Sequence, residues 1–141
     1  KIKIFEQTDF DRLLWLDTDV VMGRNVDHLF DRLDNVSERT VFTQKDDWFC
    51  RGGKGKPCTA MCSGVLLFKP NTQVAADMVT LLDSYASQKC PLGDQRLMAS
   101  YFNGKGNYSI KWFEDEVVSF SKCNWKSDLT HYAFAEVPGY R

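Results

Sequence analysis

The stretch "DFDRLLWLDTDVVMGRNVDHLF", residues 9–30, carries an apolar run that ends in two aspartates, Asp17 and Asp19. The run "LLWL" is typical of a strand buried on both faces, as in the parallel sheets of α/β proteins. Apolar residues return at once in "VVM", without the Gly, Asn or Pro that a polar turn normally brings. Residues i and i+2 of an extended segment project to the same side, so we expect the two carboxylates to converge at the end of this strand.

The composition fits one globular domain, and we predict a single domain over residues 1–141. With 18 Lys and Arg against 19 Asp and Glu, the net charge is −1, which gives no basic surface for nucleic acid or for an anionic membrane. No apolar run approaches the roughly 20 residues of a membrane span. The chain begins without Met, and we expect it to be an internal fragment of a longer protein.

The rest of the chain alternates between strand-like and helix-like patterns. This alternation predicts an α/β layer architecture. Residues 1–11 resemble the end of a helix, and Asn25 is a candidate N-cap for a helix that follows it. The predicted helices cover 25–33, 72–85 and 93–104; the predicted strands cover 12–17, 20–22, 40–44, 63–70 and 116–120; a polar loop covers 45–60.

The paired carboxylates are candidate metal ligands. Two carboxylates held close together repel each other, which raises one pKa unless a cation lies between them. Hard oxygen ligands of this kind suit Mg²⁺ or Mn²⁺, and ligands dock at the strand ends of open α/β sheets. The alternative is that Asp17 and Asp19 are two solvated aspartates of a turn.

Two other polar pairs stand at the start of predicted elements. Asp94 and Gln95 open a helix, where an Asp is commonly only a cap that complements the helix dipole. Ser63 and Gly64 enter a buried strand, where the glycine permits close approach of a ligand or serves plain packing. His28 and His131, the two histidines, suggest no pairing with a nucleophile.

The five cysteines leave the compartment open. Their spacing is not that of a zinc site. A disulfide between Cys50 and Cys58 in an oxidising compartment and thiols in the cytosol are equally consistent with the sequence, so the Golgi lumen and the cytoplasm both remain. The cysteines are Cys50, Cys58, Cys62, Cys90 and Cys123.

Three motifs, taken in order, resemble those of glycosyltransferase family 8, the group that contains glycogenins and galactinol synthases. They are "DFDRLLWLDTDVVMGRNVDHLF", "CSGVLLFKPN" and "GDQRLMASYF", and the resemblance covers roughly residues 1–105. It implies a GT-A fold, with a mixed, mostly parallel sheet and flanking helices. It also implies metal-dependent transfer of a hexosyl group, with retention of configuration, from a UDP-sugar to a carbohydrate or protein acceptor. The implied metal is Mn²⁺ or Mg²⁺.

The resemblance assigns roles to seven positions. Asp17 and Asp19 match the metal-binding pair of the family. Asp94 and Gln95 match the pair at the sugar end of the donor site and are the implied catalytic residues. The implied donor-binding residues are Lys1, Asp17, Ser63, Gly64, Asp94 and Gln95.

The sequence also departs from the family pattern. Cys62 stands where the family has an asparagine before Ser-Gly, which puts a sugar-hydroxyl contact in doubt. Arg96 replaces a glycine and could alter the choice of donor or acceptor. The family's nucleotide-binding first strand is missing, and so is its downstream segment, which supplies a third metal ligand and a phosphate-binding lysine. We expect both to lie outside this chain.

Two other functions remain as alternatives. In a HAD-type phosphatase, "DTDVV" would make Asp17 the nucleophile and Asp19 a general acid, but Met98 stands where a further acidic residue is needed. The other alternative is a nucleotide-sugar-binding domain without turnover, which the changes at Cys62 and Arg96 keep open.

Overall fold

The computed structural model describes residues 1–46, 61–85, 93–104, 108–114, 117–120 and 127–131. Within these residues there are two short 3₁₀ helices, Ile2–Glu6 and Asp27–Leu33, and two α helices, α1 (Thr72–Tyr85) and α2 (Asp94–Gly104). The strands are β1 (Leu13–Leu16), β2 (Val20–Met22), β3 (Thr40–Lys45), β4 (Met61–Phe68), β5 (Ser109–Trp112), β6 (Val118–Phe120) and β7 (Leu129–His131).

The described strands form two sheets. The larger sheet has the order β1-β4-β3-β5, and the smaller one has the order β2-β7-β6. Strands β1 and β3 both run antiparallel to β4, whereas β5 runs parallel to β3. In the smaller sheet β2 is antiparallel to β7, and β6 is parallel to it. The sheets are mixed, as predicted, but their described pairings are more often antiparallel than parallel.

Strand β4 is the centre of the fold because every one of its residues is buried. Its alternate side chains enter two different hydrophobic clusters: Leu66 and Phe68 on one face, Val65 and Leu67 on the other. The first cluster packs against α1, α2 and the first 3₁₀ helix, and the second against the second 3₁₀ helix and the smaller sheet. Burial on both faces explains the continuous apolar run "SGVLLF".

The strand that leads to Asp17 differs from its prediction. All four residues of β1 are half-buried, and β1 pairs antiparallel with β4 at one end of the described sheet order. Its side chains do alternate between the two clusters. Burial is incomplete because, among the described strands, β1 has a neighbour on one side only.

The helices over 72–85 and 93–104 are confirmed, and the segment 25–33 forms a 3₁₀ helix from Asp27 rather than an α helix. Asn25 does cap a turn there, since its Oδ1 accepts a hydrogen bond from the N–H of Asp27 at 2.8 Å. Strands β5 and β7 were not predicted. No helix in the described part of the chain combines the length and the apolar character that crossing a membrane requires.

Candidate functional site

The candidate site begins where the ladder between β1 and β4 ends. The N–H of Asp17 donates a hydrogen bond to the carbonyl of Gly64 at 2.8 Å, one step beyond the pairing of Leu16 with Val65. This bond brings Asp17 beside the Ser63–Gly64 pair. Two of the motifs singled out in the sequence therefore meet through backbone pairing alone.

The side chain of Lys1 joins three of the candidate residues. Its Nζ lies 2.7 Å from Oδ2 of Asp17 and 3.0 Å from Oδ2 of Asp94. It also donates to Oγ and to the carbonyl of Ser63, at 3.2 and 3.3 Å. Burial by itself would lower the pKa of Lys1, but the hydrogen bonds and charges of Asp17 and Asp94 outweigh it and raise that pKa. The ammonium is thus held charged between two carboxylates.

Asp94 lies in the first turn of α2, where the helix dipole favours a negative charge. Its Oδ2 also accepts a hydrogen bond from Ser63 Oγ at 3.1 Å. Partial burial would raise its pKa, yet the hydrogen bonds from Lys1 and Ser63 and the charge of Lys1 lower it. Asp94 is therefore an anion at neutral pH, and its side chain, 43% exposed, is open to a ligand.

Both oxygens of Asp17 accept hydrogen bonds within the chain. Oδ2 faces Lys1, and Oδ1 accepts from the indole Nε1 of Trp15 at 2.8 Å. Trp15 and Asp17 are two residues apart, so both side chains lie on the same side of the strand. The tryptophan, which sequence reasoning did not select, orients the carboxylate.

The expectation that the segment from Asp17 to Asp19 is extended is wrong, whereas the convergence of the two carboxylates stays a prediction. The N–H of Val20 donates to the carbonyl of Asp17 at 3.0 Å, and Thr18 and Asp19 occupy the two central positions of this turn. The turn forms without Gly, Asn or Pro. Asp17 closes the ladder, and Asp19 follows it in the turn before β2 begins.

By residue type, Asp17 and Asp19 fit Mn²⁺ or Mg²⁺, because carboxylate oxygens are the ligands these cations prefer. Within the described ranges, no group of three or more His, Cys, Asp or Glu side chains has the arrangement of a metal site. The assignment of Mn²⁺ or Mg²⁺ therefore rests on the carboxylate oxygens that Asp17 and Asp19 would supply.

The carboxamide of Gln95 is held at both ends. Its Oε1 accepts the backbone N–H of Ser63 at 3.3 Å, and its Nε2 donates to Oδ2 of Asp46 at 2.6 Å. Asp46 follows β3 directly and is only 8% exposed. The sequence analysis missed it, because it assigned 45–60 to a polar loop; the one available signal was a carboxylate at the end of a buried strand.

Cys62 is buried in β4, one residue before Ser63. Its Sγ accepts the N–H of Gly64 at 3.4 Å, and its carbonyl accepts the hydroxyl of Thr43. Burial is the main cause that raises the pKa of its thiol to about 11. The side chain is therefore a neutral thiol inside the sheet at neutral pH.

Several predictions lie elsewhere or outside the described residues. Arg96 is exposed on α2, beside Gln95. Nε2 of His28 lies 3.3 Å from Oδ2 of Asp128, which is not one of the candidate residues. The side chain of His131 and the following residues lie outside the described part of the chain, as do Cys50, Cys58, Cys90, Cys123 and most of the predicted loop 45–60.

The sequence of this chain is similar to those of known proteins. The sequence profile of glycosyl transferase family 8 matches residues 1–114. A glycogenin from Komagataella phaffii is 31% identical over 109 residues, which are 74% of this chain and 23% of that protein. Inositol phosphorylceramide glucuronosyltransferase 1 from Arabidopsis thaliana is 30% identical over 105 residues, 72% of this chain and 16% of that protein. The chain thus spans less than a quarter of either relative.

Solved structures agree in fold. The galactosyltransferase LgtC, in complex with donor and acceptor sugar analogues, has a TM-score of 0.68 at 16% identity, over 94% of this chain and 56% of that one. Mouse xyloside xylosyltransferase 1 has a TM-score of 0.65 at 13% identity, over 96% of this chain and 63% of that one. The predicted GT-A fold is confirmed. The profile match covers well over half of the sequence, and the chain belongs to glycosyltransferase family 8.

Proposed function

We propose that this chain forms the donor side of a retaining, metal-dependent glycosyltransferase. It would move a hexosyl group from a UDP-sugar to a carbohydrate or protein acceptor. The observation that carries the proposal is the position of Lys1, whose ammonium bonds Asp17 and Asp94 at 2.7 and 3.0 Å. This contact supports the proposal because it joins an implied metal ligand and an implied sugar-binding carboxylate through an implied donor-binding lysine.

The charges assign a task to each side chain. Lys1 attracts the diphosphate, and Asp94, held as an anion, accepts hydrogen bonds from sugar hydroxyls or stabilises positive charge at the anomeric carbon. Asp17 and Asp19 would hold Mn²⁺ or Mg²⁺. When bound, such a cation stabilises the negative charge that develops on the leaving phosphate oxygens. Ser63 fixes Asp94 and Lys1 relative to each other through its hydroxyl.

The similar proteins support sugar transfer as the reaction class. They include a glucuronosyltransferase, a galactosyltransferase and a xylosyltransferase. The donor sugar differs among them, so we propose the UDP-sugar class and not one sugar. The single-domain assignment over 1–141 and the location in the Golgi lumen or the cytoplasm likewise remain proposals.

The second candidate is a nucleotide-sugar-binding domain without turnover. It is favoured by Cys62, whose neutral, buried thiol cannot replace the hydrogen bonds of the family's asparagine. The phosphatase alternative is less well supported, because Met98 is fully buried in the hydrophobic core and offers no acidic group to a site.

One assay on the intact protein separates these functions. UDP-glucose, UDP-galactose and UDP-glucuronic acid are offered with Mn²⁺ and a panel of carbohydrate acceptors, and both UDP release and the anomeric configuration of the product are measured. The proposal expects acceptor-dependent UDP release and an unchanged anomeric configuration. UDP-sugar binding without release of UDP would favour the binding domain. Hydrolysis of simple phosphate esters in place of transfer would favour the phosphatase.

A further inference from the structure

We propose that Asp46 is a positioning residue that holds the carboxamide of Gln95 in one orientation at the sugar end of the donor site. The inference rests on the proposed function, because it concerns a side chain that would face the donor. Asp46 and Gln95 are 49 residues apart in the sequence, and the 2.6 Å bond from Nε2 to Oδ2 joins the end of β3 to the first turn of α2.

The two partners of the amide leave only one orientation satisfied. The backbone N–H of Ser63 can only donate, so the atom facing it must be Oε1. The carboxylate of Asp46 accepts, so the atom facing it must be Nε2. A flipped amide would turn its NH₂ toward an N–H and its oxygen toward a carboxylate, and both of these hydrogen bonds would be lost.

The bond to Asp46 is the stronger constraint of the two. A hydrogen bond to an ionised acceptor is shorter and roughly twice as strong as a neutral one, and the two distances, 2.6 and 3.3 Å, follow that order. The bond from Ser63 alone leaves the amide free to swing about it. Asp46 therefore supplies most of the restraint on the angle of the Gln95 side chain.

The burial of Asp46 argues against a role in the fold alone, because burying a carboxylate is unfavourable for folding. Its residue is 8% exposed, and a carboxylate in such a position costs folding free energy unless its bonds repay it. Gln95 is only half-buried and keeps one N–H and one lone pair of Oε1 for a ligand. The bond from Asp46 would hold these groups in one direction.

The experiment compares Asp46→Ala, Asp46→Asn, Gln95→Ala and the double variant Asp46→Ala/Gln95→Ala in the intact protein. With a UDP-sugar donor, Asp46→Ala is expected to lower kcat about 10- to 100-fold, the cost of displacing a contact by about 1 Å, while the KM for the donor changes little. Asp46→Asn, whose Oδ1 can still accept the Gln95 N–H but carries no charge, should have a kcat between those of wild type and Asp46→Ala. In the Gln95→Ala background, Asp46→Ala should lower kcat no further, since a residue acting through Gln95 has nothing left to position.

A matched control is Asp77→Ala, which removes a half-buried carboxylate bonded to Tyr101 and Tyr108 in the helical layer. It should leave kcat unchanged whatever its effect on stability. If the fold-losses in kcat of Asp46→Ala and Gln95→Ala multiply in the double variant, the inference is wrong. An unchanged kcat in Asp46→Ala would also overturn it. If Asp46→Ala does not fold, Asp46→Leu is used in its place, because leucine fills the space without a hydrogen-bond acceptor. Its kcat should equal that of Gln95→Ala.

A readout that does not depend on turnover separates this inference from the proposed function. The side-chain amide resonance of Gln95 is identified by NMR through its loss in Gln95→Ala. It should shift in Asp46→Ala and not in Asp77→Ala. A wild-type protein without transfer on any donor would refute the proposed function, whereas an unmoved Gln95 resonance in Asp46→Ala would refute the positioning role.

Discussion

The ammonium of Lys1 lies 2.7 Å from Oδ2 of Asp17, so a lysine in the segment before the first strand neutralises a carboxylate at the end of that strand. The same ammonium bonds Asp94 at the start of α2. Three segments of the chain therefore meet at one positive charge. This charge offsets the repulsion between the two carboxylates.

The first prediction concerns this lysine. Replacing Lys1 with Met keeps much of the side chain and removes the ammonium that the proposal assigns to the diphosphate. We expect UDP to bind roughly tenfold more weakly, in line with about 1.5 kcal/mol for a hydrogen bond to a charged group. Isothermal titration of UDP into the intact protein measures the change. Lys3→Met is the matched control, since Lys3 is exposed in the 3₁₀ helix that begins directly after Lys1. Equal affinities of the two variants for UDP would contradict the account.

The second prediction concerns the thiol of Cys62. Because burial raises its pKa to about 11, hardly any thiolate forms near neutral pH, and the reactive species is the thiolate. We expect iodoacetamide to leave Cys62 unmodified in the folded protein and to alkylate it once the protein is unfolded. Mass spectrometry of the peptide that contains Cys62 gives the answer. Rapid alkylation of the native protein at neutral pH would show that this part of β4 is open to solvent.

The third prediction concerns pH and Asp77, which ties the two α helices together. A hydrogen bond from Gln73, together with bonds from Tyr101 and Tyr108, lowers the pKa of Asp77. A carboxylate with a lowered pKa in the folded state stabilises the protein above its unfolded pKa, and this contribution is lost as the pH falls through the folded pKa.

We therefore expect Asp77→Asn to lower the free energy of unfolding by roughly 0.5 kcal/mol at about pH 7, since solvent screens this carboxylate, and by less as the pH falls toward about 3. Urea denaturation of both proteins across this range measures the difference. Asp83→Asn, later in the same helix, removes a carboxylate without these tyrosine contacts and should show no such trend. A gap between wild type and Asp77→Asn that widens toward low pH would have the wrong sign for this account.

The sequence predicted best what local pattern alone determines. Strand β4 and the helices α1 and α2 were recognisable, because burial on both faces leaves an unbroken apolar run and burial on one face leaves a helical period. Strand β5 was not predicted because its four residues, "SIKW", mix polar and apolar types without a clear alternation. The turn after Asp17 was predicted only as an alternative, because it contains no Gly, Asn or Pro.

The donor-binding role of the candidate residues stays a prediction, but their grouping can be compared with the structure. Of the seven positions that the motif resemblance selected, five lie within one group joined by side-chain hydrogen bonds: Lys1, Asp17, Ser63, Asp94 and Gln95. The partners Trp15 and Asp46 were missed. Asp46 meets Gln95 only because β3 pairs with β4 and α2 packs on the same strand, and such long-range contacts leave no local pattern in the sequence.

The central claim, that the group around Asp17 binds the donor for sugar transfer, is tested most directly by UDP release from the intact protein with Mn²⁺. Wild type, Asp17→Asn and the exposed-site control Asp9→Asn are compared with and without a chelator. We predict turnover in wild type and Asp9→Asn, its loss on chelation, and a loss of about 100-fold or more in Asp17→Asn, the scale expected when a group that stabilises the leaving charge is removed. Turnover in Asp17→Asn equal to that of Asp9→Asn would contradict the claim.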